Sequence, residues 1–139
     1  MATLKSFADN RQLAPIREFV TRVARNLGLC DKVIYDLQLA VDEACANVIE
    51  HAYDGCGGDI EITIEPTREG IQVAIHDWGG SFDPDTVPVP DVTAPLENRQ
   101  LGGLGLFLMR QIMDEVRFEF DTTRGNTLTM VKRLRKEEK

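Results

Sequence analysis

The sequence predicts an α+β fold, a two-layer sandwich in which three helices cover one face of a mixed, mostly antiparallel sheet. Two periods of apolar residues predict it. Apolar residues recur every three or four positions up to about residue 52, as in helices with one buried side, and then at every second position over residues 60–75, as in strands. Helices early and late in the chain around a block of strands favour a sheet with one covered face.

Three stretches have the helical period. The first begins near Leu13 and ends at Gly28, because glycine readily adopts the left-handed conformation that follows many helices. Asp31 can cap the second helix, which is expected to run to about Ala52 before a glycine-rich segment. The third is expected over residues 104–114. Each helix would bury one apolar stripe against the sheet.

Five strands are predicted, over residues 3–7, 60–64, 71–75, 116–122 and 126–134. The second and third have isoleucine or valine at every second position, the pattern of half-buried antiparallel strands. The last two are separated by a turn at Arg124 and Gly125.

Between the third strand and the third helix, residues 81–101 show no period and contain four prolines. Loops of about twenty residues are uncommon in compact domains and are usually functional or disordered, so we predict a lid. With 139 residues and 42% hydrophobic composition, the chain is long enough for one core and too short for two ordinary ones. Residues 1–139 are therefore expected to form one domain.

The charge balance restricts the kinds of partner. A net charge of −7 leaves no broad basic surface for a nucleic acid, and the one dense basic cluster is expected to be a solvated end: Lys132, Arg133, Arg135 and Lys136. No apolar run approaches the roughly 18 residues needed to cross a bilayer, and the first residues have no signal-peptide core. Three widely spaced cysteines fit a reducing compartment. A cytoplasmic protein that binds neither nucleic acid nor membrane is expected.

Three short motifs carry the chemistry. Glu43 and Asn47 are four residues apart on a predicted helix, so both side chains point to the same side. Asp77 ends a strand, and Gly79 follows where backbone can approach a ligand closely. The start of the third predicted helix is rich in glycine, with Gly102, Gly103 and Gly105. It would direct free N–H groups and the positive end of a helix dipole at an anion. Together the motifs predict a pocket for a magnesium nucleotide.

Simpler interpretations exist for several of these residues. Glu43 and Asn47 could form an ordinary solvated helix edge. Trp78 could stack on a purine or simply pack beside the turn. His51 and His76 are expected to be structural, because a zinc site made with Cys45 and Cys56 would match no common ligand spacing.

In their order along the chain, the three motifs resemble those of the GHKL ATPase/kinase superfamily. The closer similarity is to its anti-sigma-factor serine kinases, and it lies in LAVDEACANVIEHAY at 39–53, DWGGSFDP at 77–84 and GGLGLFLMRQIMDEV at 102–116. Each motif alone is weak, but three in this order over nearly the whole chain are specific. The resemblance implies a Bergerat-type ATP-binding fold, a single histidine-kinase-like ATPase domain over residues 1–139, with an ATP lid at about 81–101.

The resemblance also implies a role for each residue of the first two motifs. Asn47 would hold the Mg²⁺ ion that bridges the phosphate oxygens, and Glu43 would act as general base on an incoming hydroxyl or water. Asp77 would accept a hydrogen bond from the adenine amino group. Gly79 would permit the turn beneath the base.

Around the phosphates of ATP, the resemblance implies backbone contacts from the glycine-rich segment: Gly102, Gly103, Leu104 and Gly105. Arg99 could steady the γ-phosphate or touch a partner, or be merely solvated. One position departs from the family pattern, since Ser81 stands where a second motif glycine is expected. If that position requires a positive φ, serine would cost on the order of 1 kcal/mol or more and would weaken ATP binding.

The function implied by the resemblance is that of an ATP-dependent protein serine/threonine kinase and anti-sigma factor. Such a protein would form a homodimer, phosphorylate an anti-sigma-factor antagonist and sequester a sigma factor. Two alternatives remain open from the residues: a non-catalytic binding module that responds to nucleotide, and a detached histidine-kinase catalytic domain.

Overall fold

The computed structural model describes residues 1–53, 57–79, 101–121 and 123–134, with all side chains except those of residues 51, 52 and 101–106. This part of the chain contains five strands and three α-helices: β1 (Ala2–Phe7), α1 (Leu13–Asn26), α2 (Asp31–Asn47), β2 (Asp59–Pro66), β3 (Gly70–Asp77), α3 (Leu101–Ile112), β4 (Glu115–Asp121) and β5 (Gly125–Arg133). A 3₁₀ turn at Asn10–Gln12 precedes α1, and a π-helical turn at Val48–Ala52 continues α2.

The five strands form one sheet in the order β1-β2-β3-β5-β4, and every pairing among them is antiparallel. The register aligns Ile62 with Ile75 and Val73 with Met130, so alternate residues of neighbouring strands share a face. The predicted α+β class is confirmed, and each predicted strand end lies within two residues of the observed one. Alternation located the strands well because one face of the sheet is buried.

That buried face packs against the helices. The inner residues of the central strands and the apolar stripes of the helices form one cluster, which includes Ile16, Val20, Leu37, Val41, Ala44, Ile60, Ile62, Ile64, Val73, Ile75 and Met130. Burying each of the larger side chains contributes on the order of 1.5–3 kcal/mol. α2 packs against both α1 and α3 and so lies in the middle of the helical layer. Residues near the end of α2 are thereby held firmly against the sheet.

The helix ends differ from the prediction in three ways. Cys30 is the N-cap of α2, and Asp31 lies in the first turn, where its charge faces the positive end of the helix dipole. The α-helix ends at Asn47, and its expected continuation to Ala52 is π-helical. α3 begins at Leu101, three residues earlier than expected, so the glycine-rich segment lies inside the helix start.

The predicted lid at residues 81–101 lies outside the described residues, except for Leu101 at the start of α3. The candidate residues Ser81 and Arg99 therefore lie outside them too. Among the helices of the described part, none is long and apolar enough to span a membrane.

The basic residues near the end of the chain are not all solvated, and the expectation is wrong for Lys132. The Lys132 side chain is only 16% exposed; its Nζ lies 3.2 Å from Asp36 Oδ2 and donates a hydrogen bond to the Ile112 carbonyl oxygen at 2.8 Å. Arg133 lies within salt-bridge distance of two glutamates on neighbouring segments. Lys132 thus connects β5 to both α2 and the end of α3. The other two members of the cluster lie outside the described residues.

Candidate functional site

A small cavity lies where the end of α2 meets β3, β5 and β4. It measures about 20 Å³, and its lining includes residues of two of the predicted motifs: Ala44, Asn47, Val48, Asp77, Phe118, Phe120, Asn126, Thr127 and Leu128. The structure thus brings together Asn47 and Asp77, which are thirty residues apart in the sequence.

Asn47 is the last residue of α2 and contributes a buried amide to this cavity. The residue is 5% exposed, and its Nδ2 has no hydrogen-bond partner among the described residues. A buried polar group left unpaired costs about 1–3 kcal/mol. Such a cost at a cavity wall is typical of a group that is completed by a ligand.

Asp77 is the last residue of β3 and is also 5% exposed. Its Oδ1 accepts a hydrogen bond from the Gly79 N–H at 2.9 Å and a second from Asn126 Nδ2 at 2.9 Å. Neither bond involves Oδ2, which remains able to accept a further donor. The turn that was expected at Gly79 is closed by the carboxylate of Asp77 itself.

Asn126 was not identified from the sequence, although it completes this arrangement. It lies at the start of β5 directly opposite Asp77 in the register, and its Nδ2 also donates to the Gly79 carbonyl oxygen at 3.2 Å. The only sequence signal was a buried-face position in a predicted strand that carries a polar residue. That signal has no meaning until the pairing of β3 with β5 is known.

Phe118 and Phe120 were also missed. They lie on β4, opposite Leu128 and Asn126 respectively, and their rings are stacked with centroids 6.1 Å apart. Phe120 is 40% exposed, so this edge strand gives the cavity an aromatic wall that reaches solvent. Aromatic walls with a few polar groups are typical of sites for flat ligands such as purines.

Tyr53, just after the π-helical turn, contacts the turn after Asp77 from the other side. Its hydroxyl accepts a hydrogen bond from the Trp78 N–H at 2.9 Å and donates to the Asp59 carbonyl oxygen at 2.7 Å. Burial raises the pKa of this hydroxyl, an effect that the Trp78 N–H only partly opposes, so the proton needed for the second bond is retained. The Tyr53 ring packs so closely over Gly58 that a Cβ there would overlap it.

Glu43 lies one helical turn before Asn47 and is half-buried, but it does not line the cavity. Burial raises the pKa of its carboxyl group, and the negative charges of Asp42 and Glu50 raise it further. A raised pKa makes a carboxylate a stronger base. The Asp42 charge is itself bound by Arg17, whose guanidinium donates to Asp42 Oδ2 at 2.7 and 3.1 Å.

The third motif lies on the first residues of α3: Gly102, Gly103, Leu104 and Gly105. The first four N–H groups of any α-helix have no partner within the helix. In a helix that begins at Leu101 these include the N–H groups of Gly102 and Gly103, which are donors of the kind that bind phosphate, whereas Gly105 lies beyond them. The Leu104 side chain, like Arg99 and Ser81, lies outside the described residues.

His76 and Trp78 lie on the other face of the sheet. His76 Nδ1 is 2.8 Å from Thr127 Oγ1, and its Nε2 is 2.7 Å from the Arg124 carbonyl oxygen. The Trp78 ring contacts His76 edge-on and is half exposed, so it is not placed to stack on a base held at Asp77. Cys45 lies in the core, where burial raises its pKa to about 12. His76 and Cys45 therefore do not share a metal site.

Residues 7–132 match the histidine kinase-like ATPase domain family. The chain belongs to this family. Membership implies that the protein binds ATP, and it confirms the predicted resemblance.

Two relatives of this ATPase domain are named for a kinase activity. The chain is 36% identical over 136 residues to the serine-protein kinase RsbW of Halalkalibacterium halodurans, covering 94% of this chain and 82% of that protein. It is 31% identical over 139 residues to the serine-protein kinase RsbW of Bacillus cereus strain Q1, covering 97% and 86% respectively. The similarity to serine kinases of this family, expected from the motifs, is confirmed.

A solved structure supports the fold. The crystal structure of the RsbU and RsbW domains of Rv1364c from Mycobacterium tuberculosis superimposes with a TM-score of 0.67 at 19% identity, covering 96% of this chain. The match spans a third of that longer chain. The shared architecture confirms the predicted two-layer fold.

Proposed function

We propose that this protein is an ATP-dependent serine/threonine-protein kinase that acts as an anti-sigma factor. The observation that carries the proposal is the meeting of Asn47 and Asp77 at one cavity, with Glu43 one turn away on the same helix. The names of the relatives, serine-protein kinases that this chain matches over more than nine-tenths of its length, support the reaction class.

Asp77 recognises the adenine base of ATP. Its Oδ1 is occupied by two donors, so Oδ2 accepts the amino group of adenine. Guanine carries an oxygen where adenine carries that amino group, and an oxygen facing a carboxylate is repelled. The cavity of about 20 Å³ is smaller than a purine, so nucleotide binding must widen it. The wall that would move is the edge strand β4, because its Phe120 is 40% exposed.

Asn47 fits the role of a magnesium ligand. Mg²⁺ prefers oxygen ligands and usually takes only one or two from the protein, with the rest from phosphates and water. The described residues contain no group of three or more His, Cys, Asp or Glu side chains that could hold a metal by themselves. The Asn47 side chain would ligate the ion through its amide oxygen, and its amide nitrogen, which has no partner among the described residues, could donate to a phosphate oxygen. When bound, the ion neutralises charge on the phosphate oxygens.

The start of α3 binds the phosphates through the free backbone N–H groups of its first turn, which include those of Gly102 and Gly103, and Leu104 and Gly105 complete the segment beside the phosphates. Glycine allows a phosphate to approach the backbone closely. Arg99 steadies the γ-phosphate, and residues 81–101 serve as the lid. Excluding water from the transferring group strengthens each of these electrostatic contacts.

Glu43 acts as general base. It accepts the proton of the serine hydroxyl of a protein substrate as the oxygen attacks the γ-phosphorus, while ADP leaves with the electron pair of the broken bond. Its raised pKa suits this role because the carboxylate is a better proton acceptor near neutral pH.

The partners proposed are an anti-sigma-factor antagonist that receives the phosphate, a sigma factor that is sequestered, and a second copy of the chain in a homodimer. The alternative, a binding module that responds to nucleotide without transferring phosphate, keeps the same site and differs only in chemistry.

The test has two stages. Calorimetric titration with ATP, with and without Mg²⁺ and with GTP as control, is expected to give magnesium-dependent, adenine-selective binding. Incubation with γ-labelled ATP and a candidate antagonist protein should then label a serine of that protein. Binding without transfer to any antagonist would favour the binding module, and absence of ATP binding would contradict both.

A further inference from the structure

Asp77 and the turn after it are held by a residue outside the three motifs. Asn126 Nδ2 donates to Asp77 Oδ1 at 2.9 Å and to the Gly79 carbonyl oxygen at 3.2 Å. Both side chains are 5% exposed and face each other across the β3–β5 pairing. One amide therefore fixes the carboxylate and the following turn together.

We propose that Asn126 is a specificity-determining positioning residue, which orients Asp77 so that a single carboxylate oxygen faces the purine amino group. The inference rests on the proposed function, in which Asp77 reads the base of ATP. Asn126 would thus act together with Asp77 in the selection of adenine over guanine.

The physical reason lies in the freedom of a carboxylate. Its terminal torsion has a broad energy profile, so hydrogen bonds decide which oxygen points where. With two donors on Oδ1, the Asp77 carboxylate has one orientation and Oδ2 is directed away from the turn. Without Asn126, only the Gly79 N–H would remain, and the carboxylate could rotate away from the oxygen of guanine. Discrimination against guanine would then fall.

Tyr53 provides a matched control. Its hydroxyl accepts the Trp78 N–H and so holds the same turn, but no hydrogen bond joins it to Asp77. Replacing Tyr53 by Phe removes one hydrogen-bonding group from the turn while leaving both donors of Asp77 Oδ1 in place. A general loosening of the turn can thus be separated from loss of carboxylate orientation.

The experiment is calorimetric titration of the parent protein and of the variants Asn126→Ala, Asn126→Ser and Tyr53→Phe with ATP and with GTP in Mg²⁺. Thermal unfolding of each variant is followed by circular dichroism. Asn126→Ala should lower the ratio of ATP to GTP affinity by about tenfold, the effect of one hydrogen bond to a charged group. Asn126→Ser keeps one donor and should give an intermediate ratio. Tyr53→Phe should weaken both nucleotides equally and keep the parental ratio.

The inference would be overturned if both Asn126 variants kept the parent's ratio of ATP to GTP affinity. It would also be overturned if Tyr53→Phe lowered that ratio as much as the Asn126 variants do. If Asn126→Ala does not fold, Asn126→Ser decides alone: a reduced ratio supports the inference and an unchanged one refutes it. A parent protein that binds ATP no better than GTP would refute the base-reading role of Asp77 itself. That failure is visible before any variant is made.

Discussion

At the scale of single residues, the site joins groups that are costly for the fold. Asn47 has a buried amide nitrogen without a partner, and Glu43 is a half-buried carboxyl group beside two other acids. Selection for the stability of the fold alone would favour apolar residues at such positions. A proton-accepting role for Glu43 and a ligand that pairs with the Asn47 amide would account for what packing does not.

Replacement of Glu43 by Gln should reduce phosphate transfer by about 10²–10⁴-fold, the usual contribution of a general base. ATP binding should stay within about twofold, because Glu43 does not line the cavity and Gln keeps its size. Transfer is measured with γ-labelled ATP and binding by calorimetry. Equal transfer rates in variant and parent would contradict the assignment.

The pH dependence of transfer follows from the raised pKa of Glu43. The base must be ionised, so the rate should fall as the pH drops through this raised pKa, at a higher pH than for an ordinary glutamate. Burial is the main cause, and Asp42 contributes a negative charge, so Asp42→Asn should move the acidic limb to lower pH. Glu18→Gln removes an acidic charge from α1 that does not act on Glu43, and its profile should match the parent's. An acidic limb at the same pH in Asp42→Asn as in the parent would refute the assignment of that limb to Glu43.

At the scale of secondary-structure elements, α2, α3 and β5 are joined by Lys132. Its Nζ bonds Asp36 of α2 and the last carbonyl group of α3, and both charged side chains are less than one-fifth exposed. The helix that carries Asn47 and the helix that carries the glycine-rich segment are therefore fixed to the same strand. In the proposed site, their separation would set the space available to a nucleotide.

Lys132→Met should lower the free energy of unfolding by about 2–4 kcal/mol, because it leaves Asp36 partly buried without its cation. Arg133→Met is the control: its ion pairs are mostly solvated, so its loss should cost less than about 1 kcal/mol. Urea denaturation of the two variants measures both values. A loss of unfolding free energy in Lys132→Met as small as that in Arg133→Met would mean that the Lys132 contacts contribute little to stability.

The sequence predicted these elements better than their arrangement. Alternating isoleucines located β2 and β3, because a strand with one buried face has a period of two. The insertion of β5 between β3 and β4 has no local signal, and the bond between Asp77 and Asn126 joins residues 49 positions apart. Tyr53 was missed for a related reason, since a π-helical turn changes which side chains face the sheet. The sequence therefore marked the motif residues as candidates but not Asn126 or Tyr53, which contact Asp77 and the turn after it.

At the scale of the whole molecule, the proposed nucleotide site lies between the helical layer and the sheet. α2 supplies Asn47 from one layer, while β3 and β5 supply Asp77 and Asn126 from the other. A ligand that contacts both layers should stabilise the whole fold, by about 2.7 kcal/mol at a concentration one hundred times its Kd. Stability and binding can therefore be read from the same unfolding curve.

Asn47→Ala tests that coupling. Loss of a buried side chain usually lowers stability, but here it also removes an unpaired amide, so the unfolding midpoint without nucleotide should change little. Mg²⁺ added with ATP should raise the midpoint of the parent by several degrees above ATP with chelator, and this increment should vanish in Asn47→Ala. Val41→Ala, a fully buried apolar position on the same helix away from the cavity, should lower the midpoint in all conditions and keep the magnesium increment. A magnesium increment that survives in Asn47→Ala would show that the ion is held elsewhere, and a large fall of its midpoint without nucleotide would show that the amide stabilises the fold.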